Sequence, residues 1–130
     1  MTRAILIDAK NKTVTVVEKG EGIQDIYKHL GCDTFDLVRL GRGVDCYIDD
    51  EGLLKEAYID EDGTKHNMNG FSFPGFAQPI MGNGLIMGSD EEGESIDSPV
   101  SVGQVKAVLT FVEYDRPEDR PEPHIEFIPL

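Results

Sequence analysis

The chain is 130 residues long, 39% hydrophobic and 28% charged, and its 25 Asp and Glu against 12 Lys and Arg set a formal net charge of -13 at pH 7. That length suits one domain with a core of its own, and the supply of branched and aromatic residues argues against intrinsic disorder. Residues 45–130 hold nineteen acids against five bases, residues 1–44 six against seven, a field that repels phosphate backbones and anionic bilayers and so disfavours direct nucleic-acid or membrane binding.

Residues 4–7 and 13–18 are short β-rich runs around Asp8-Ala9-Lys10-Asn11-Lys12, and the alternating, β-branched stretch 13–17 predicts a hairpin. In residues 22–31, Ile23, Ile26, Tyr27 and Leu30 fall at i, i+3, i+4 and i+7, the spacing of one helix face. Asp25 near the start and His29 near the end suit the helix dipole, and Gly31 supplies a left-handed stop. Residues 34–40 and 44–48 read as strands about Gly41-Arg42-Gly43, and residues 53–59 as a third, bounded by the turns Asp49-Asp50-Glu51-Gly52 and Asp60-Glu61-Asp62-Gly63.

Residues 66–84 are irregular, and Gly82-Asn83-Gly84 is a tight-turn signal between the runs 78–81 and 85–88. An acidic loop covers 89–97. Ser101 with Gln104 fits a capping box, and Val105, Val108, Leu109 and Val112 continue at helical spacing, although their β-branched content leaves a strand open. After a proline-broken connector at 116–123, residues 124–129 alternate as a final edge strand. The expected architecture is α+β: a small antiparallel meander sheet with two helices packed on one face. Residues 1–115 make the single domain, and 116–130 are a connector and C-terminal edge strand belonging to it.

The apolar run at 4–7 is too short for a signal peptide and no stretch reaches the length of a membrane span, so a cytoplasmic protein is expected. Cys32 and Cys46, in no CxxC pair, are then expected as free thiols. The turn at 60–63 invites a calcium reading, but the loop register puts Tyr58 at the first ligand position and Asn69 at the twelfth. Starting at Asp60 instead puts Lys65 where glycine is required. His29, Cys32, His66 and His124 lack zinc spacing, so no metal is expected. With no nucleophile motif and no phosphate-binding loop, no catalytic residue is assigned and no cofactor is expected.

Two sets of residues remain as site candidates. Asn67, Asn69 and Asn83 offer neutral donors and acceptors, and Phe71, Phe73 and Phe76 offer stacking faces, the parts of a pocket for a small polar, planar ligand. The same residues would equally serve to anchor a long loop and cap its turns. Asp49, Asp50, Glu51, Asp60, Glu61, Asp62, Asp90, Glu91, Glu92 and Glu94 form the second set, an acidic surface for a basic partner.

The order of several short motifs resembles a family known as domain of unknown function 3846, found in phages, plasmids and their bacterial hosts. The resemblance runs from Ile26-Tyr27-Lys28-His29-Leu30-Gly31-Cys32-Asp33 through Tyr47-Ile48-Asp49-Asp50-Glu51-Gly52-Leu53-Leu54 and Asn67. It closes on Pro79-Ile80-Met81-Gly82-Asn83-Gly84-Leu85-Ile86-Met87-Gly88 and Asp90-Glu91-Glu92-Gly93. An Asn-x-x-Ala pattern departs at Gly70, and the tail after Asp115 lies outside the match. The resemblance implies an accessory protein of a mobile element in bacterial cytoplasm, and it carries no activity to transfer.

The function expected is a non-enzymatic binding protein, a monomer or homodimer. It either docks on a basic host protein through its acidic surface or holds a small polar ligand. The alternatives are a small-molecule enzyme with its site at 66–84 and a nucleic-acid mimic that inhibits a host defence protein.

Overall fold

In the computed structural model, which describes residues 2–20, 22–32, 34–49, 55–76 and 78–120, the expected N-terminal hairpin is present. Strands β1 (Thr2–Asp8) and β2 (Thr13–Lys19) pair in unbroken antiparallel register from Thr2 opposite Lys19 to Asp8 opposite Thr13. The Asp8 carboxylate closes the loop, accepting from the Asn11 backbone N–H at 3.0 Å and its side-chain amide at 2.9 Å. Helix α1 (Gln24–Leu30) ends on Gly31 at φ 67, whose N–H donates to the Tyr27 carbonyl at 2.8 Å. Strands β3 (Phe35–Gly41) and β4 (Val44–Asp49) form a second hairpin.

From there the chain departs from a meander. Among the described residues, short strands β5 (Tyr58–Ile59) and β6 (Lys65–His66) pair with each other alone. Then β7 (Asn69–Ser72) pairs with β8 (Ile80–Met81). Strand β9 (Gly84–Ser89) inserts between the two early hairpins, giving the order β2-β1-β9-β4-β3, antiparallel throughout. Its composition accounts for the place: the run from Gly84 to Gly88 is buried at every position, and only a central strand is covered on both faces. Strand β10 (Ser95–Ile96) folds back on the end of β9.

Helix α2 (Val102–Val108) starts with the expected capping box: Ser101 Oγ accepts from the Gln104 N–H at 3.1 Å, and Gln104 Oε1 accepts from the Ser101 N–H at 2.8 Å. The helix stops before Val112, because Leu109 turns extended at ψ 138 and residues Thr110–Glu113 form β11 against β7. Helical spacing and β-branched content were each half right, in succession along the chain. A single 3-10 turn (Pro117–Asp119) follows, and Arg120 Nη1 donates to the Lys55 carbonyl at 2.7 Å. The predicted strand 124–129 and residues 53–54 lie outside the described residues; of the rest of the predicted strand 53–59 only Tyr58–Ile59 is a strand, and residues 55–57 are irregular.

The helices occupy opposite faces of the large sheet, which corrects the one-face expectation. Ile26 and Leu30 of α1 pack with Ala4, Leu85 and Met87, whereas Val105 of α2 packs with Ile5, Ile7, Cys46 and Ile86. Neighbouring strand residues point to opposite faces, so Leu85 and Ile86 must serve different helices. The early hairpins hide this in sequence, because Ala4 and Ile5 are apolar alike.

Phe71, wholly buried, joins the second sheet (β11-β7-β8) to the α2 face of the first. Room for its ring comes from Gly84, where a Cβ would stand 2.7 Å from Phe71 Cζ and 3.0 Å from Cys46 Sγ. Burial pushes the Cys46 thiol from 9.0 up to about 12. A raised folded value means that the stabilisation from a neutral Cys46 is complete below about 9 and is lost as pH rises toward about 12. In native protein at neutral pH an aromatic disulfide reagent should therefore titrate the half-buried Cys32 alone, and Cys46 should appear only in denaturant. Two fast thiols in the native state would contradict the burial.

Candidate functional site

After β7 the chain reads Phe73-Pro74-Gly75-Phe76, with Gly75 at φ 92 and the Phe76 N–H donating to the Phe73 carbonyl at 3.2 Å. Proline then glycine at the centre, with a positive φ at the glycine, is the signature of a type II turn. The turn presents an aromatic ladder from core to surface. Phe71 meets Phe73 edge-on at 5.8 Å between centroids, and Phe73 meets Phe76 at 5.6 Å.

Opposite the turn stand Gln104, Val105 and Val108 of α2, and Leu40, Val44, Ile86 and Val100 close the floor. The space enclosed is a cleft of about 480 Å³, within the range of small-molecule sites. Its polar side chains are Arg39 and Gln104, and Gln104 is committed to the α2 cap. Arg39 is mostly exposed; its Nε donates to the buried Asp45 carboxylate at 3.4 Å, and the guanidinium stands at the border of the cleft. Among the described lining residues there is no carboxylate, histidine, cysteine or serine. An apolar chamber with one cation at its edge can hold and orient an apolar body; it brings no nucleophile or general base to a reaction.

The six predicted ligand residues do not share one pocket. Phe73 and Phe76 line the cleft, and Phe71 lies behind them in the core. Asn67, Asn69 and Asn83 surround a separate, smaller hollow of about 130 Å³ with Lys10, Asp49 and Lys65. Two of these asparagines hold backbone. Asn67, at φ 59, donates from its amide to the Glu56 carbonyl at 2.8 Å, and Asn83 Oδ1 accepts from the Ala9 N–H at 3.0 Å. Their polar chemistry is spent on turns. Reading the sequence missed the α2 and sheet walls, which come from segments far apart in the chain. It also passed over Phe-Pro-Gly-Phe, a turn signal it could have used.

The acidic set divides similarly. Asp60 Oδ1 accepts from the N–H groups of Asp62 and Thr64, and Asp90 Oδ1 from those of Glu92 and Glu94, all at 2.9 Å. Gly63 at φ 82 and Gly93 at φ 83 complete the same turn twice. Asp60 and Asp90 thus build their loops, which leaves Glu61, Asp62, Glu91, Glu92 and Glu94 exposed. Asp49 is paired with Lys55, and Asp50 and Glu51 lie outside the described residues.

His66 Nε2 sits 2.9 Å from Asp60 Oδ2 and its ring stacks on Tyr58 at 4.4 Å. The His66 hydrogen bond, with that from the Thr64 N–H, holds the Asp60 carboxyl below its usual range. A lowered value stabilises the β5–β6 turn at neutral pH, and the effect is lost as acid protonates Asp60.

Among the described residues no three His, Cys, Asp or Glu side chains converge as a metal site. No described helix is long and apolar enough to cross a membrane. Compared with protein families, residues 1–110 match the model of the Domain of unknown function (DUF3846). No curated protein and no solved structure matches the chain.

Proposed function

This chain belongs to the DUF3846 family, and we propose that it is a non-catalytic binding protein whose ligand occupies the cleft between α2 and the turn at 73–76. The carrying observation is the cleft's composition: aromatic and branched walls around about 480 Å³, with Arg39 as the charged side chain at the edge. That chemistry selects a small molecule with a flat apolar body and one acidic group. The ligand expected from the asparagines, a polar one, moves to the background with them. The setting is that of a cytoplasmic accessory factor of a mobile element or its bacterial host.

Calorimetric titration with 2-naphthoate, an apolar bicycle bearing a carboxylate, tests the proposal. Saturable one-to-one binding is expected, several-fold tighter than for uncharged 2-naphthalenemethanol because Arg39 meets the carboxylate. Equal affinity for the two would remove Arg39 from recognition, and no binding of either would remove the cleft.

A second reading rests on a different observation. Glu61 and Asp62 project from one built loop and Glu91, Glu92 and Glu94 from another, acidic patches suited to a basic host protein such as a nuclease, as a nucleic-acid mimic. Such binding would fall steeply as salt rises, whereas the apolar contacts of the cleft would hold.

A further inference from the structure

The two outer strands of the large sheet are differently protected. Strand β3 carries Asp36 and Arg39, and its pairing with β4 slips between Arg39 and Gly41, devices that discourage edge-to-edge pairing. Strand β2 has no such slip, and its charges, Glu18 and Lys19, are confined to its last two residues. It is seven residues long and regular against β1, reads Thr-Val-Thr-Val-Val-Glu-Lys, and ends the sheet order without a second neighbour among the described strands. Val16, at 55% exposure, is the most exposed large apolar side chain described.

We infer that β2 is a homodimer interface, pairing antiparallel with β2 of a second copy about a two-fold axis at Thr15. An axis perpendicular to the sheet keeps each face in register with itself, so only pairs of the same parity meet. With the axis at Thr15, Val14 faces Val16 of the second copy on the α2 side, and Val16 faces Val14. On the other face Thr15 meets Thr15 and Thr13 meets Val17. Branched pairs and Thr–Thr pairs directly across strands are favourable combinations.

Centring on Val16 instead would set the Glu18 carboxylate against the buried Val14 and Lys19 against Thr13. Charge selects the same end of the molecule. Residues 1–44 are nearly neutral while residues 45–130 carry nineteen acids against five bases, so two copies repel least where their N-terminal hairpins meet.

Sedimentation equilibrium of the full chain up to about 100 μM tests this, in the range where weak symmetric contacts populate. Wild type should dimerise. Thr15→Lys, on an exposed position that leaves the fold intact by circular dichroism, should raise the dissociation constant at least tenfold by opposing two ammonium groups on the axis. Val16→Lys should weaken the dimer likewise. Thr15→Cys should oxidise to a 15–15 disulfide, since directly opposed positions lie within bridging reach. A monomeric wild type, or a Thr15→Lys variant that dimerises as wild type does, would overturn the assignment.

Discussion

Replacing Phe71 by Ala is expected to remove about 3–5 kcal/mol of folding stability, the usual toll for a buried ring truncated to a methyl. Phe71 is wholly buried and holds the β11-β7-β8 sheet against Ile5, Ile7, Cys46 and Ile86 of the large one. The cavity left behind is hard to refill. Gly84 lies against the ring and has no side chain to move into the space. For a chain of this size the loss should lower the melting temperature by about 10–20 °C. Gly70→Ala probes the β7–β8 pairing beside it, because a Cβ there would run into the Ile80 carbonyl. A Phe71→Ala change below about 1 kcal/mol in denaturant titration would mean that the sheets are joined elsewhere.

The second large effect belongs to the cleft. Phe76→Ala takes away the outer wall while leaving Phe71 and the core in place, and should weaken 2-naphthoate binding about 10- to 100-fold, the worth of one lost aromatic contact. Arg39→Gln should weaken 2-naphthoate several-fold and leave 2-naphthalenemethanol unchanged. Asn67→Ala, which loosens the tie to the Glu56 carbonyl, should leave both affinities as they are. If Asn67→Ala abolished binding and Phe76→Ala did not, the ligand would belong in the smaller hollow with Lys10 and Lys65.

Much of this fold is legible one segment at a time. The β-branched alternation of residues 13–17 does become β2, the i, i+3, i+4 spacing from Ile23 does become α1, and Ser101 with Gln104 does cap α2. Each depends on neighbours a few residues away. The sheet order does not. Strand β9 enters between β1 and β4 because its burial is continuous, a choice made against every other strand at once. The helix faces follow from that insertion, since Leu85 and Ile86 serve opposite layers only when β9 is central.

The candidate site follows the same division. Phe73 and Phe76 were recognisable as stacking faces or loop anchors in a glycine-rich segment, and half-buried they line the cleft. Asn67 and Asn83 looked alike as ligand donors and as turn-formers, and only the Glu56 carbonyl and the Ala9 N–H decide between the two roles. Likewise Asp60 and Asp90 read as surface charge until the N–H groups they accept from are seen. Val105, Val108 and Arg39 reach the cleft from α2 and β3, more than sixty residues apart in the chain for Arg39 and Val105, and no local pattern announces such a meeting.

The most direct measurement of cleft binding is a two-dimensional amide NMR titration of the wild-type protein with 2-naphthoate. Saturable shifts should gather at residues 39–44, 73–76 and 100–108, the segments that meet around the cleft. Shifts gathered instead at residues 67–69 and 81–83, or a spectrum that stays still to millimolar ligand, would contradict it.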